Sequence, residues 1–144
     1  WVEAPSVPGP EDCEVEPALF TSGGVRSRFE ARSVPDRDGV GRDGVSRWWF
    51  RADGPALGDP MMLAVVLDFV PMALSTVLDR PLFGSSLDNT VRVVERAPTD
   101  WVLAEFALDS VARGIAQVNA RAFTSDGLLL AVGSQTCVVT DRPS

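Results

Sequence analysis

The sequence contains no histidine, no lysine and no tyrosine, and all thirteen of its basic residues are arginine. Without His, acid or base chemistry near neutral pH falls to carboxylates, cysteine or water, and zinc sites of the usual His/Cys kind are excluded. Cysteine is scarce as well. Cys13 and Cys137 are the only two, one in a Pro-rich arm and one in a strand-like run. They offer no disulfide framework, so a reducing, cytoplasmic setting is the default expectation. An excess of positive charge is also missing. The net charge of -7 argues against a nucleic-acid-binding surface, although a local Arg cluster could still hold a phosphate.

What is present fits one globular unit: 144 residues with 45% hydrophobic content, a size at which a chain buries roughly two-thirds of its unfolded surface. The longest apolar run, Met61 to Leu78, is interrupted by Asp68 and Pro71 and lacks basic flanks. It therefore reads as a buried core helix and not as a membrane span. Asp68 is the most demanding residue in the chain. Burying a lone ionised carboxylate costs on the order of several kcal/mol, so Asp68 needs partners or a task.

Residues 1–19 are Pro-rich and acidic, with too few apolar residues to build an element, and read as a linker or arm before a folded domain at 20–144. The chain opens on Trp1 with no signal-peptide pattern, which suggests the C-terminal part of a longer protein. Strict alternation predicts a strand from Val25 to Val34, a turn follows at Asp36 to Gly44, and Val45 to Ala52 reads as a second strand. Asp59 and Pro60 mark a helix start, Asp as cap and Pro at the first helical position. Pro71 cannot donate to the Leu67 carbonyl, so the helix should kink or restart near Asp68. Four strand-like runs follow, Ser86 to Arg96, Trp101 to Val111, Ile115 to Thr124 and Leu128 to Thr140, with short joints that imply antiparallel neighbours. The expected fold is α+β, one helix packed on one face of a curved antiparallel sheet.

That order, with an apolar central helix, resembles a hotdog fold. Three places sharpen the resemblance: Leu67 Asp68 Phe69 on the helix, Ser85 Ser86 Leu87 Asp88 Asn89 opening the next strand, and Ser134 Gln135 Thr136 on the last. They are similar to the C-terminal hotdog of the TesB-like (type II) acyl-CoA thioesterases, a likeness extending from about Phe20 to Thr140. Two positions depart from the better-known members: Val66 and Leu67 precede Asp68 in place of a Tyr-x-Ser-like pattern, and Asn89 stands where a His is common. The resemblance implies an acyl-CoA thioesterase of lipid metabolism whose attacking water is held by Asp68, Ser86 and Gln135. It also implies a second hotdog as partner, either a missing N-terminal half or another copy, and an acyl-CoA substrate with no metal or redox cofactor. The alternative is a non-catalytic hotdog that binds an acyl ligand or a partner subunit; a dehydratase-type hotdog would need a His.

Thioester hydrolysis without His or a Ser/Cys triad requires a carboxylate base, a water and polar groups to orient it. A carboxylate inside an apolar helix gains proton affinity by desolvation, which suits Asp68 to the base role, although it could instead cap the helix segment restarting before Pro71. Ser86 could be a turn residue, and Gln135 could point outward from an edge strand. Asp88 reads as a surface carboxylate that pairs with an Arg such as Arg92. Cys137 reads as a small core residue and not a nucleophile. Trp48, Trp49 and Phe50 could line an acyl pocket or a subunit seam, with at least one Trp facing away from the core. The arm is expected to reach back to a partner. Arg26, Arg28 and Arg32 could meet CoA phosphates, the commoner explanation being a solvated strand face.

Overall fold

The computed structural model describes residues 2–17, 24–35, 43–54 and 57–141. Most of the turn expected at Asp36 to Gly44, Phe20 and the side chain of Arg26 lie outside the described residues. The strands are β1 (Glu14–Val15), β2 (Phe29–Ser33), β3 (Val45–Ala52), β4 (Leu82–Ser86), β5 (Thr90–Val93), β6 (Val102–Ala112), β7 (Ile115–Thr124) and β8 (Leu129–Asp141), with α1 (Pro60–Val66) and α2 (Val70–Val77) between β3 and β4. They form one antiparallel sheet in the order β1-β2-β3-β6-β7-β8-β4, with β5 also pairing with β8. The sheet curls around the helical segment, as the α+β hotdog expectation requires.

Asp59 caps α1 by accepting from the Met61 N–H at 2.8 Å, with Pro60 at the start of the helix. The end of α1 tightens as Asp68 N–H donates to Val65 O and Phe69 N–H to Val66 O, three residues back in each case. Pro71 then sits in the first turn of α2, where its missing donor costs nothing. The expected break thus falls at residues 67–69. Leu63, Val66, Leu67, Val70, Ala73 and Leu74 recur at helical spacing and are all buried on the sheet. By length and mean hydropathy, 1.8, the run Pro60–Val77 could cross a membrane. In the fold, that apolar stripe packs against β-strand residues such as Phe50 and Phe29, whose rings lie 4.9 and 5.5 Å from that of Phe69.

Several local expectations change. Val25–Arg28 forms a 3-10 turn, so the first long strand begins only at Phe29. Of the run read as Ser86 to Arg96 only Thr90–Val93 is a separate strand; β4 lies ahead of that run and enters it only at Ser86, and the two short strands lie end to end on β8, broken at residues 87–89. β5 and β6 are not neighbours, because the chain crosses from the β8 edge to the middle of the sheet. The short joints do make hairpins at β6–β7 and β7–β8. The first turns on Arg113 and Gly114, both at positive φ (54° and 76°), the backbone that a two-residue hairpin favours.

Trp48 and Phe50 point inward, and Trp49 points to the outer face, yet all three are buried, at 3%, 0% and 4% exposure. They are therefore not free to form a seam. Trp49 is covered by the arm: its Nε1–H donates to Pro8 O at 2.9 Å, and Ala4, Val7 and Cys13 pack with Trp49, Trp101, Leu103 and Phe123. The arm also builds β1, which pairs with β2. In this chain it lies on its own sheet. Arg32 is committed there too, donating to Glu30 at 2.6 Å and to Pro10 O at 2.8 Å with its guanidinium 5.0 Å from the Trp101 ring centroid.

Candidate active site

Two missing side chains set where Asp68 lies. A Cβ on Gly133 of β8 would fall 3.2 Å from Leu67 Cδ1, and one on Gly84 of β4 would fall 3.0 Å from Pro71 Cγ. Glycine at both positions lets the helix break seat directly on the β8–β4 edge. Asp68, next to Leu67, then reaches the side chains of that edge.

The three residues picked from the sequence converge. Gln135 Nε2 donates to Asp68 Oδ1 at 2.6 Å and to Ser86 Oγ at 3.0 Å, and the Ser86 hydroxyl lies 3.4 Å from the same Oδ1. A fourth donor joins them: Asn89 Nδ2 lies 3.3 Å from Oδ1. The Gln135 contact is the strong one, since the others sit at the long end of the hydrogen-bond range. Gln135 points inward and is 2% exposed, which removes the outward-facing reading. Its amide is oriented from behind, the Cys137 thiol donating to Oε1 at 3.3 Å. Because a carboxylate only accepts, Nε2 must face Asp68, and Oε1 is left for the thiol.

Two expectations about Asp68 need correction. It is exposed, not buried, so the apolar run does not enclose it. Nor does it cap α2, whose N-cap is Phe69 with no side-chain bond. What Asp68 has is partners: three neutral donors on Oδ1, with no donor from the described residues on Oδ2. A carboxylate so held keeps its charge uncompensated, is fixed in direction and presents one free oxygen.

Asp88 does not behave as an ordinary surface carboxylate either. It accepts from the Thr136 N–H at 2.8 Å and lies 3.1 Å from the Thr136 hydroxyl. Cys137 is a core residue, fully buried, and its thiol is held above the ordinary range by burial and then by the nearby Asp68 charge, with a Ser86 hydrogen bond opposing. That state disfavours the thiolate and with it any nucleophilic role.

The profile of the acyl-CoA thioesterase C-terminal domain matches residues 5–139. The chain belongs to this family. A solved structure described as a thioesterase, from Novosphingobium aromaticivorans, is 32% identical and superposes with TM-score 0.83 over 96% of this chain and 54% of its own. Acyl-CoA thioesterase II TesB2 of Mycobacterium marinum is 23% identical, with TM-score 0.70 over 99% of this chain and 57% of that one. A hypothetical thioesterase of Streptococcus pneumoniae, solved with coenzyme A, is 16% identical, with TM-score 0.60 over 72% of this chain and 84% of its own. The latter two likenesses speak to the fold alone. This thioesterase-family chain spans about half the length of the first two structures. Comparison with curated protein sequences gives no match.

Asn89 was legible only as a departure from the family's common His, because nothing in the linear sequence shows that it shares a side with Ser86. Three residues apart on a regular strand, the two would face opposite ways.

Proposed function

We propose that the protein containing this chain is an acyl-CoA thioesterase that uses water as nucleophile. The observation that supports it most is the asymmetry of Asp68, whose Oδ1 is locked by Gln135, Ser86 and Asn89 while Oδ2 carries no protein donor among the described residues. In the proposed step a water lies against Asp68 and is oriented by Ser86, with Gln135 acting through its bonds to both side chains. As its oxygen attacks the thioester carbonyl carbon, its proton passes to the carboxylate. The C–S bond then breaks, the thiolate of CoA leaves and takes up that proton, and the carboxylic acid is released.

Asp68, Ser86 and Asn89 are exposed in this chain, and the apolar side chains of Met61, Phe83 and Leu87 are exposed as well (74%, 52% and 61%). We propose that a second hotdog, from the other half of the protein or another copy, covers this edge and completes the acyl site. The buried free thiols suit a reducing, cytoplasmic setting. The test is a thiol-release assay on the full-length protein with short, medium and long acyl-CoAs. Turnover that Asp68→Asn abolishes is expected; a folded protein that turns over no chain length would leave the non-catalytic binding module in its place.

A further inference from the structure

The register of the β8 edge carries an extra residue. Ser86 pairs with Cys137 and Thr90 with Ser134, so four steps along β4–β5 oppose three along β8. This is a one-residue β-bulge at residues 87–89, and it has a direct effect on the site. In a regular strand, residues 86 and 89 would project to opposite faces; the extra residue brings both to one side, where both reach Asp68 Oδ1.

The bulge is held at Thr136. The N–H and C=O of a strand residue point to the same neighbouring strand, and those of Thr136 face the bulge. Its carbonyl accepts from Leu87 N–H at 2.8 Å in ordinary strand fashion. Its N–H finds the Asp88 carboxylate at 2.8 Å, which takes the place of a strand carbonyl. The second Asp88 oxygen lies 3.1 Å from the Thr136 hydroxyl, whose single proton is shared with Gln117 Oε1 at 2.9 Å. Thr136 is also the residue between Gln135 and Cys137, so the clasp fixes β8 where it presents the site amide.

We infer that Asp88 is a positioning residue: by clasping Thr136 it holds the bulge that turns Ser86 and Asn89 together onto Asp68. The inference rests on the proposed thioesterase activity for its kinetic test, but not for its spectroscopic one. The clasp needs an acceptor at Thr136 N–H and not a negative charge. Asn fulfils that need, since its carbonyl accepts the N–H and its amide can donate to the Thr136 hydroxyl oxygen, whose own proton then goes wholly to Gln117. Leu has nearly the same size and no acceptor.

The experiment compares Asp88→Asn, Asp88→Leu and wild type in the full-length protein. For Asp88→Leu, kcat is expected to fall by about 10- to 100-fold with KM little changed, the scale of an ångström-level misplacement of catalytic groups. Asp88→Asn should stay within about threefold of wild type, because one hydrogen bond is exchanged for another. In parallel, Thr136 amide exchange and the Asn89 side-chain amide resonance are followed by NMR. Faster exchange and a shifted Asn89 resonance are expected for Leu, and neither for Asn. If Asp88→Asn is as impaired as Asp88→Leu, or if Leu leaves both NMR signals in place, the clasp is not what positions the site. Should the Leu variant fail to fold, Asp88→Asn decides alone: retained turnover with an unshifted Asn89 supports the clasp, and a shifted Asn89 overturns it. If wild type turns over no thioester, the proposed function fails while the NMR comparison still judges the clasp.

Discussion

On the outer face of the sheet Glu105 lies between the Arg47 and Arg121 guanidiniums, at 2.8 and 3.3 Å, and Glu30 between those of Arg32 and Arg51, at 2.6 and 2.5 Å. At the β8–β4 edge Asp68 meets an amide from Gln135, an amide from Asn89 and the Ser86 hydroxyl, with no cation among the described residues. The first arrangement neutralises a carboxylate and ties strands together, three around Glu105 and two around Glu30. The second aims one and leaves its charge uncompensated, which is what accepting a proton from water requires. For Glu30, burial works against ionisation, but hydrogen bonds from Arg32 and Arg51 and their charges outweigh it and hold the carboxyl below the usual range. The same residue type is structural or chemically available according to whether its donors carry charge.

The sharpest way to break this contrast is to remove each carboxylate's charge while keeping its shape. Asp68→Asn should cost about 10²- to 10⁴-fold in turnover, the range for a lost general base, with thermal stability close to wild type. Glu105→Gln should do the reverse. Glu105 is 9% exposed and holds two arginines, so the variant is expected to lose about 1–3 kcal/mol of stability in denaturant melts, the scale of a charged hydrogen-bond network partly open to solvent, and to keep its turnover. Equal kinetic damage from both substitutions would sink the distinction.

A smaller effect sharpens the same comparison within the site. Ser86 contacts Oδ1 at 3.4 Å and accepts from Gln135 at 3.0 Å, so Ser86→Ala removes orientation without removing the base. A loss of about three- to tenfold in kcat/KM is expected, equivalent to one net hydrogen bond. A loss as large as that of Asp68→Asn would move Ser86 from an orienting role to the chemistry itself.

The parts of this fold legible in the sequence are those set by local chemistry. β3 was readable to its ends from the run Trp48 Trp49 Phe50, and α1 from Asp59 and Pro60, because aromatic strand propensity and capping act within a few residues. Asp68 and Gln135 stood out as polar residues in apolar runs. The bulge did not, because a one-residue offset between β4–β5 and β8 depends on pairing between segments some fifty residues apart in sequence. The exposure of Asp68 was hidden for a similar reason: it adjoins the buried stripe through Leu67 but points off it, and only the docked helix shows which way. The arm was misjudged on composition. Ala4, Val7 and Cys13 are few, but Trp49 and Trp101 supply the rest of that small core from across the sheet.

The smallest expected effect concerns the two thiols, which report the two regions separately. Both are held above the ordinary value of 9.0 by burial first; after that Cys13 responds to Asp12, with Arg32 opposing, and Cys137 responds to Asp68. A thiol whose value is raised in the folded state contributes stability that is fully present below the unfolded value and is lost as pH rises through the folded one, so the protein should weaken progressively above pH 9.0. Asp68→Asn removes the carboxylate charge next to Cys137 and touches nothing near Cys13. Thiolate absorbance followed during alkaline titration should therefore show the Cys137 transition moving down towards its ordinary value in Asp68→Asn while the Cys13 transition stays put, with single Cys→Ser variants assigning the two. A Cys137 transition that does not move would mean that Asp68 carries no unneutralised charge at the site, and the contrast between the two faces would lose its electrostatic basis.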